Sequence, residues 1–172
     1  MKLSPEFTYS RENVKFEGAC LTNKWILIKL DGLIKKMDES LEAFLFGEAA
    51  NAFYAFWMTD FANTYMELAK SLMKDASLSH EFMTTMFFVI ENGLRLLHPM
   101  MPFITEELYQ KLRVFDGKAK SITIASYPKS INWVDEEVLK TMDLLLETVK
   151  GARSVSSTLN IPPSVSLKTY MI

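Results

Sequence analysis

From Thr22 to Phe44 the residues Ile26, Leu30, Leu33, Met37, Leu41 and Phe44 recur at steps of three and four. That spacing stacks side chains on one face of an α-helix. The same period returns in three later stretches, with glycine and proline mostly between them, so the chain is predicted to be all-α with about five helices. A second helix, of roughly seven turns, is expected after a break at Phe46-Gly47, from Ala49 through Phe53, Trp57, Phe61 and Tyr65 to Leu72. A third should run from about Leu78 to Leu97, with Asp75-Ala76-Ser77 offering oxygens to cap it. Pro99 disfavours helical geometry at His98, and Pro102 suits the first position of a short fourth helix ending near Leu112. Glu106 and Glu107 lie near its opening turn, where the helix dipole favours acids. Asn132 is expected to cap a fifth helix, opened by Asp135, Glu136 and Glu137 and running to about Leu159.

Two segments break the helical period. Residues 115–131 contain Gly117, Pro128 and the β-prone Ile122-Thr123-Ile124, and are expected as a loop holding one short strand. Pro162-Pro163 stops the last helix, after which Val165, Leu167, Thr169 and Met171 alternate with Ser166, Lys168 and Tyr170 as in a β-strand. A lone strand cannot pair its own backbone, so the polypeptide is expected to continue beyond Ile172. The implied division is a lead-in of residues 1–20 with no assignment, a helical domain over 21–160, and the start of a strand-containing unit over 161–172.

With 172 residues, 49% of them apolar, the chain can fill one core. No apolar run approaches the roughly 18 residues of a membrane span. The net charge of −2 gives no overall positive field, so any nucleic-acid binding must be local. Up to Leu108 there are 10 basic and 15 acidic residues, and from Tyr109 onward 9 and 6, which makes the C-terminal third mildly basic. The single cysteine, Cys20, has no internal partner, and the opening residues lack a signal peptide's apolar stretch, so the cytoplasm is expected.

His80, His98 and Cys20 have no metal-ligand spacing, and adjacent Glu106 and Glu107 diverge by about 100° on a helix, a poor acid–base pair. The chain has no glycine-rich phosphate loop, dinucleotide fingerprint or nucleophile elbow. We therefore assign no catalytic residue, metal or cofactor from the sequence. One surface points to chemistry: Trp25, Lys29, Gly32 and Lys36 form a stripe beside the apolar face of the first helix. An aromatic ring can stack an unpaired base, ammonium groups can approach phosphates, and a glycine clears room for a backbone. The competing reading is that Trp25 seals the core edge with lysine stems lying over it.

Several runs carry a family resemblance: Asn23-Lys24-Trp25-Ile26, Tyr54-Ala55-Phe56-Trp57, Tyr65-Met66-Glu67-Leu68-Ala69-Lys70, His98-Pro99-Met100-Met101-Pro102-Phe103-Ile104-Thr105-Glu106-Glu107-Leu108 and Leu159-Asn160-Ile161-Pro162-Pro163-Ser164. Together they resemble the anticodon-binding domain of class I aminoacyl-tRNA synthetases, and the pattern is most similar to that of the valyl enzymes. The resemblance implies a bundle that grips the anticodon arm of a valine-accepting tRNA while a separate domain of the same polypeptide uses ATP to join valine to it. The two ATP-site signatures of that catalytic domain, a His-x-Gly-His type and a Lys-Met-Ser-Lys-Ser type run, do not occur here. This chain alone is accordingly expected to be non-catalytic and to need no cofactor of its own. The resemblance places tRNA-facing roles on Lys24, Trp25 and Lys29, while Gly32 and Lys36 follow from geometry. The Pro99–Leu108 run, although it carries the resemblance, is read from its residues as architecture: a forced helix break, a new helix start and a packed Met-Phe corner. Where the family more often has an acid–arginine pair this chain has Asn23-Lys24, and lysine cannot make arginine's planar two-pronged contact with a base edge. The alternatives are the same domain from an isoleucyl or other class I synthetase, or a helical module that binds protein partners.

Overall fold

The computed structural model describes residues 9–73, 76–112, 115 and 117–160. It divides into two compact units, Met1–Val134 and Asp135–Ile172. Among the described residues the regular structure is helical and contains no strand. None of these helices is long and apolar enough to cross a membrane, and no cluster of His, Cys, Asp and Glu among the described residues could hold a metal ion. The expected strand over 165–171 and the cap at Asp75 lie outside the described residues.

In the first unit α1 (Leu21–Glu42) is central and buries Ile26, Leu27, Leu30, Leu33 and Met37, as its period requires. It ends earlier than Gly47. Phe44 takes a left-handed φ of 58°, its N–H reaches the Leu41 carbonyl at 3.1 Å, and the Leu45 N–H reaches Ser40 at 2.8 Å. This is the Schellman ending, built on Phe44 where glycine is usual. Gly47 lies inside α2 (Phe46–Ala55).

The predicted seven-turn second helix is one rod with a change of winding. A π-helical stretch (Phe56–Tyr65) joins α2 to α3 (Met66–Leu72). The aromatic rings at Phe53, Trp57, Phe61 and Tyr65 follow one another along it, with centroids 5.5, 4.9 and 5.9 Å apart. In an α-helix residues four apart rotate by about 40° per step, so a ladder of strict fours would wind off the core. The wider π turn keeps it aligned.

Helix α4 (Ala76–Leu97) matches the third predicted rod, and α5 (Pro102–Lys111) opens on its proline. Their corner is held by polar groups: His98 Nδ1 lies 2.7 Å from Thr105 Oγ1, and the Thr105 hydroxyl donates to the Met101 carbonyl at 2.8 Å. The expected packed Met-Phe corner is corrected here, because Phe103 is 90% exposed and Met101 is exposed as well.

The expected strand at Ile122–Ile124 is instead a turn of 3-10 helix. Glu106 of α5 accepts the Ser121 hydroxyl and the Ile122 N–H, both at 2.9 Å. Ile122 is drawn into a cluster with Leu94 and Tyr109. Hydrogen bonds from Gln110, Ser121 and Ile122 hold the Glu106 carboxyl below its ordinary range. Its work is to pin the loop, beyond answering a helix dipole. Further along, Asp31 of α1 accepts the Ser130 hydroxyl at 2.8 Å and the Ile131 N–H at 2.7 Å.

From Tyr9 onward the lead-in is integral to this unit. Tyr9 packs against Phe87 and Phe115, and Arg11 opens a 3-10 turn (Arg11–Asn13). Its guanidinium reaches the fully buried Glu91 of α4 at 2.6 and 3.2 Å. Glu81 of α4 accepts the Cys20 N–H at 3.0 Å and the Asn23 amide at 2.7 Å, and the Tyr65 hydroxyl donates to Asn23 at 2.8 Å. These bonds fasten the start of α1 to α4 and to the π segment.

Among the described residues the regular structure of the second unit is α6 (Glu136–Thr158). Its cap is Asp135, whose side chain accepts the Val138 N–H at 3.1 Å. The expected cap, Asn132, sits before it at a left-handed φ of 61°, a conformation that Asn tolerates better than most residues.

Candidate nucleic-acid interface

One side of α1 is packed into the core, and the other leaves a strip on which Gly32, Lys36, Asp38, Glu39 and Glu42 are exposed. Helical arithmetic places Lys24 and Lys35 along one border of this strip and Lys29 and Lys36 along the other, about 140° apart at the widest, with Gly32 between. A Cβ added at Gly32 would meet nothing within 4 Å. No neighbouring protein atom demands a glycine there, and its absent side chain leaves bare backbone on the surface.

The lysines differ in their surroundings. The Lys24 ammonium lies 5.3 Å from the ring centre of Phe16, within cation–π range. Lys29 lies 5.9 Å from the ring centre of Trp25. Asp60 of the π segment is half-buried; burial raises its carboxyl pKa, and the positive charge of Lys29 pulls it back. Lys36 is exposed and pairs with Glu48 at 2.8 Å, and Lys35 pairs with Asp31 at 3.2 Å.

Trp25 requires a correction. It is 1% exposed, so its ring belongs to the core and presents no face to a base; its indole N–H is buried without a hydrogen-bond partner. The lysine stem over it follows the snorkelling pattern. The surface aromatic chemistry lies elsewhere. Phe16 of the lead-in stacks on Trp133 with centroids 5.7 Å apart and planes 9° apart, and Trp133 also touches Phe88. Both stacked rings are partly exposed. Neither falls in a periodic stretch, and they come from opposite ends of the unit, so no local pattern pairs them. The only sequence signal is an aromatic residue in each of two non-helical segments.

Geometrically the interface is therefore a strip on α1 where four lysines alternate with acids, open at Gly32, with an aromatic pair beside its start. It holds no paired catalytic groups and suits binding by charge and surface contact. The family described as the anticodon-binding domain of tRNA ligase matches residues 23–171. The chain is 36% identical over 161 residues to the valine–tRNA ligase of Thermotoga maritima, with 93% of this chain covered and 18% of that protein. It is 40% identical over 161 residues to valine–tRNA ligase, mitochondrial 1, of Arabidopsis thaliana, covering 88% of this chain and 14% of that protein. The corresponding enzyme of Fervidobacterium nodosum is 32% identical over 164 residues, again with 18% of its length covered. The chain thus spans less than a fifth of these relatives. A match that runs from the first turn of α1 through all the later helices includes the strip, the π segment and the α4–α5 corner alike, and on that ground the chain belongs to the anticodon-binding domain family of tRNA ligases.

Proposed function

We propose that this chain binds the anticodon arm of a valine-accepting tRNA and positions it for ATP-dependent joining to valine, in the cytoplasm, by a catalytic domain of the parent enzyme. The observation that carries the reading is the family match over residues 23–171, joined with similarity to valine–tRNA ligases of three organisms. Lys24 and Lys29 contact phosphates from the two borders of the α1 strip, and the bare backbone at Gly32 lets the ribose–phosphate chain come close. Lys36 joins when RNA competes it away from Glu48. The Phe16–Trp133 pair supplies the aromatic surface that Trp25 cannot.

The test is binding of an RNA hairpin with the anticodon arm of a valine tRNA, measured by fluorescence anisotropy at several salt concentrations, against a hairpin with a swapped anticodon. Lys24→Ala together with Lys29→Ala is expected to weaken binding roughly tenfold at low salt and to flatten the slope of log K against log salt by roughly 1.5, two phosphate contacts' worth. Lys36→Ala alone should cost less than about twofold, since a surface pair already occupies it. Equal affinity for the two hairpins would defeat the valine assignment. An unchanged salt slope in the double variant would remove Lys24 and Lys29 from the interface. The Lys36–Glu48 pair favours the protein-partner reading, which takes precedence if neither hairpin binds.

A further inference from the structure

From Ala49 to Thr59, along α2 and into the π stretch, no residue carries a charge, in a chain where 23% of residues do. The α4–α5 corner is equally bare, from Pro99 to Thr105. The two stretches meet at a groove of about 330 Å³, with Ala50, Tyr54 and Met58 on one side and Leu97, Met100 and Met101 on the other. Among the described residues that line it none is charged. Its floor is preformed: the rings of Phe53 and Trp57 stack 5.5 Å apart at 14°, and Trp57 is seated on Gly93, where a Cβ would lie 2.5 Å from the ring. Tyr54, Met58 and Met101 are exposed above it, and Phe46, one turn before Ala50, extends the same apolar surface. Phe103, two residues beyond Met101, is 90% exposed, so its ring stands in solvent beside the groove and does not fill it.

An apolar surface depleted of charge has the composition of an interface core. Charge also narrows the occupant. RNA and an anionic membrane each call for cations at the contact, and neither stretch offers one. A second copy of this chain meets no like-charge repulsion across such a face. It also brings the complementary shape. A two-fold contact requires a surface that is its own partner, and here a projecting ring and an apolar hole lie side by side. The exposed parts of Phe46, Ala50, Tyr54, Met58, Met101 and Phe103 amount to about 600 Å² per copy, at roughly 200 Å² for a large side chain. Two copies would then bury about 1,200 Å², the lower end for a specific interface.

We propose that two copies of this chain pair through this face about a two-fold axis, Phe103 of each entering the groove of the other above Trp57. The methionines on the rim adapt to the incoming ring.

The test is sedimentation velocity on the 172-residue chain without RNA, from low micromolar to near-millimolar concentration. The native chain should shift from monomer to dimer with a micromolar dissociation constant, modest as its area implies. Phe103→Asp removes the ring and Ala50→Arg blocks the groove; both positions are exposed, so thermal unfolding of the monomer should be unchanged. Each variant should raise the dissociation constant at least about tenfold, as loss of a central aromatic anchor does. Mixed one to one, the two variants should regain dimer, because one supplies the ring and the other the open groove, and the introduced charges are opposite. A native chain that stays monomeric throughout overturns the proposal. So does a dimer that both variants leave intact, or a mixture no more dimeric than either variant by itself. None of these outcomes bears on the anticodon-arm reading.

Discussion

Glu91→Ala should lower the unfolding free energy by about 3–5 kcal/mol, the usual cost of removing one partner from a buried ion pair. Glu91 is 0% exposed and sits between two guanidiniums. Arg11 gives it two hydrogen bonds at 2.6 and 3.2 Å, and the Tyr9 hydroxyl adds a long one at 3.4 Å. The Arg95 Nε lies 3.1 Å away, close enough for charge attraction although its N–H makes no hydrogen bond. Burial draws the Arg95 guanidinium below its ordinary pKa and the Glu91 charge pushes it back, while the hydrogen bonding of Arg11 to Glu91 is the main reason Arg11 is raised. Without the carboxylate Arg95 is left as a desolvated cation, held among the described residues by Asn92 at 2.8 Å and the Ser126 carbonyl at 2.9 Å. Arg11, which is partly exposed, can turn to water. Arg11→Met should therefore cost clearly less than Glu91→Ala. At this size the Glu91 loss corresponds to a midpoint shift on the order of 10 °C, read by thermal and urea unfolding followed by circular dichroism. A change below about 1 kcal/mol would show that the cluster does not hold the lead-in on α4.

Gly93→Ala should also destabilise, against the ordinary preference of helices for alanine. A Cβ at this buried position would lie 2.5 Å from Cζ3 of Trp57 and 3.3 Å from two further atoms of the ring. Trp57 cannot swing aside freely, because Phe53 stacks against it at 14° and Phe61 lies 4.9 Å away. Overpacking of this kind costs about 1–3 kcal/mol, while replacing a helical glycine returns up to about 1 kcal/mol. A net loss of about 1–2 kcal/mol is expected, and a larger one for Gly93→Val. The decisive measurement is a double-mutant cycle with Trp57→Phe. The smaller ring should be tolerated better in the Gly93→Ala background than beside the native glycine, giving a coupling of at least about 0.5 kcal/mol. Additive effects would mean that the clash is not what glycine avoids here.

Both predictions depend on partners that no local pattern in the chain announces. Glu91 falls on α4 among Val89, Ile90, Leu94 and Leu96 and reads as one acid on an apolar helix; Arg11 lies 80 positions earlier in a segment with no period. Only when the lead-in folds across α4 does the acid become a buried junction. The same limit applied to Trp25. Its place at the margin of the apolar face was legible, but whether a margin is covered or open depends on what packs against it. The π segment left a trace that could have been followed, since aromatics spaced by strict fours at Phe53, Trp57, Phe61 and Tyr65 do not stay on one face of an α-helix. The turn at Ile122–Ile124 left a misleading one. β-branched residues favour extended backbone when a strand is there to pair with, and here the backbone bonds to Glu106 and to its own turn.

The sequence by itself determined the helical class and the positions of α1, α4, α5 and α6 to within a few residues. Periodicity and proline act over one or two turns, a range at which the chain supplies all the atoms involved. It also carried the family runs, whose order along the chain is itself the signal. What only the tertiary structure decided is which residues share a surface: Trp25 inside, Phe16 beside Trp133, Lys36 against Glu48, and Arg11 against Glu91. The physical reason is that burial and pairing belong to contacts between segments far apart in the chain, and an apolar stripe is satisfied by any neighbour that excludes water from it, whichever segment supplies it.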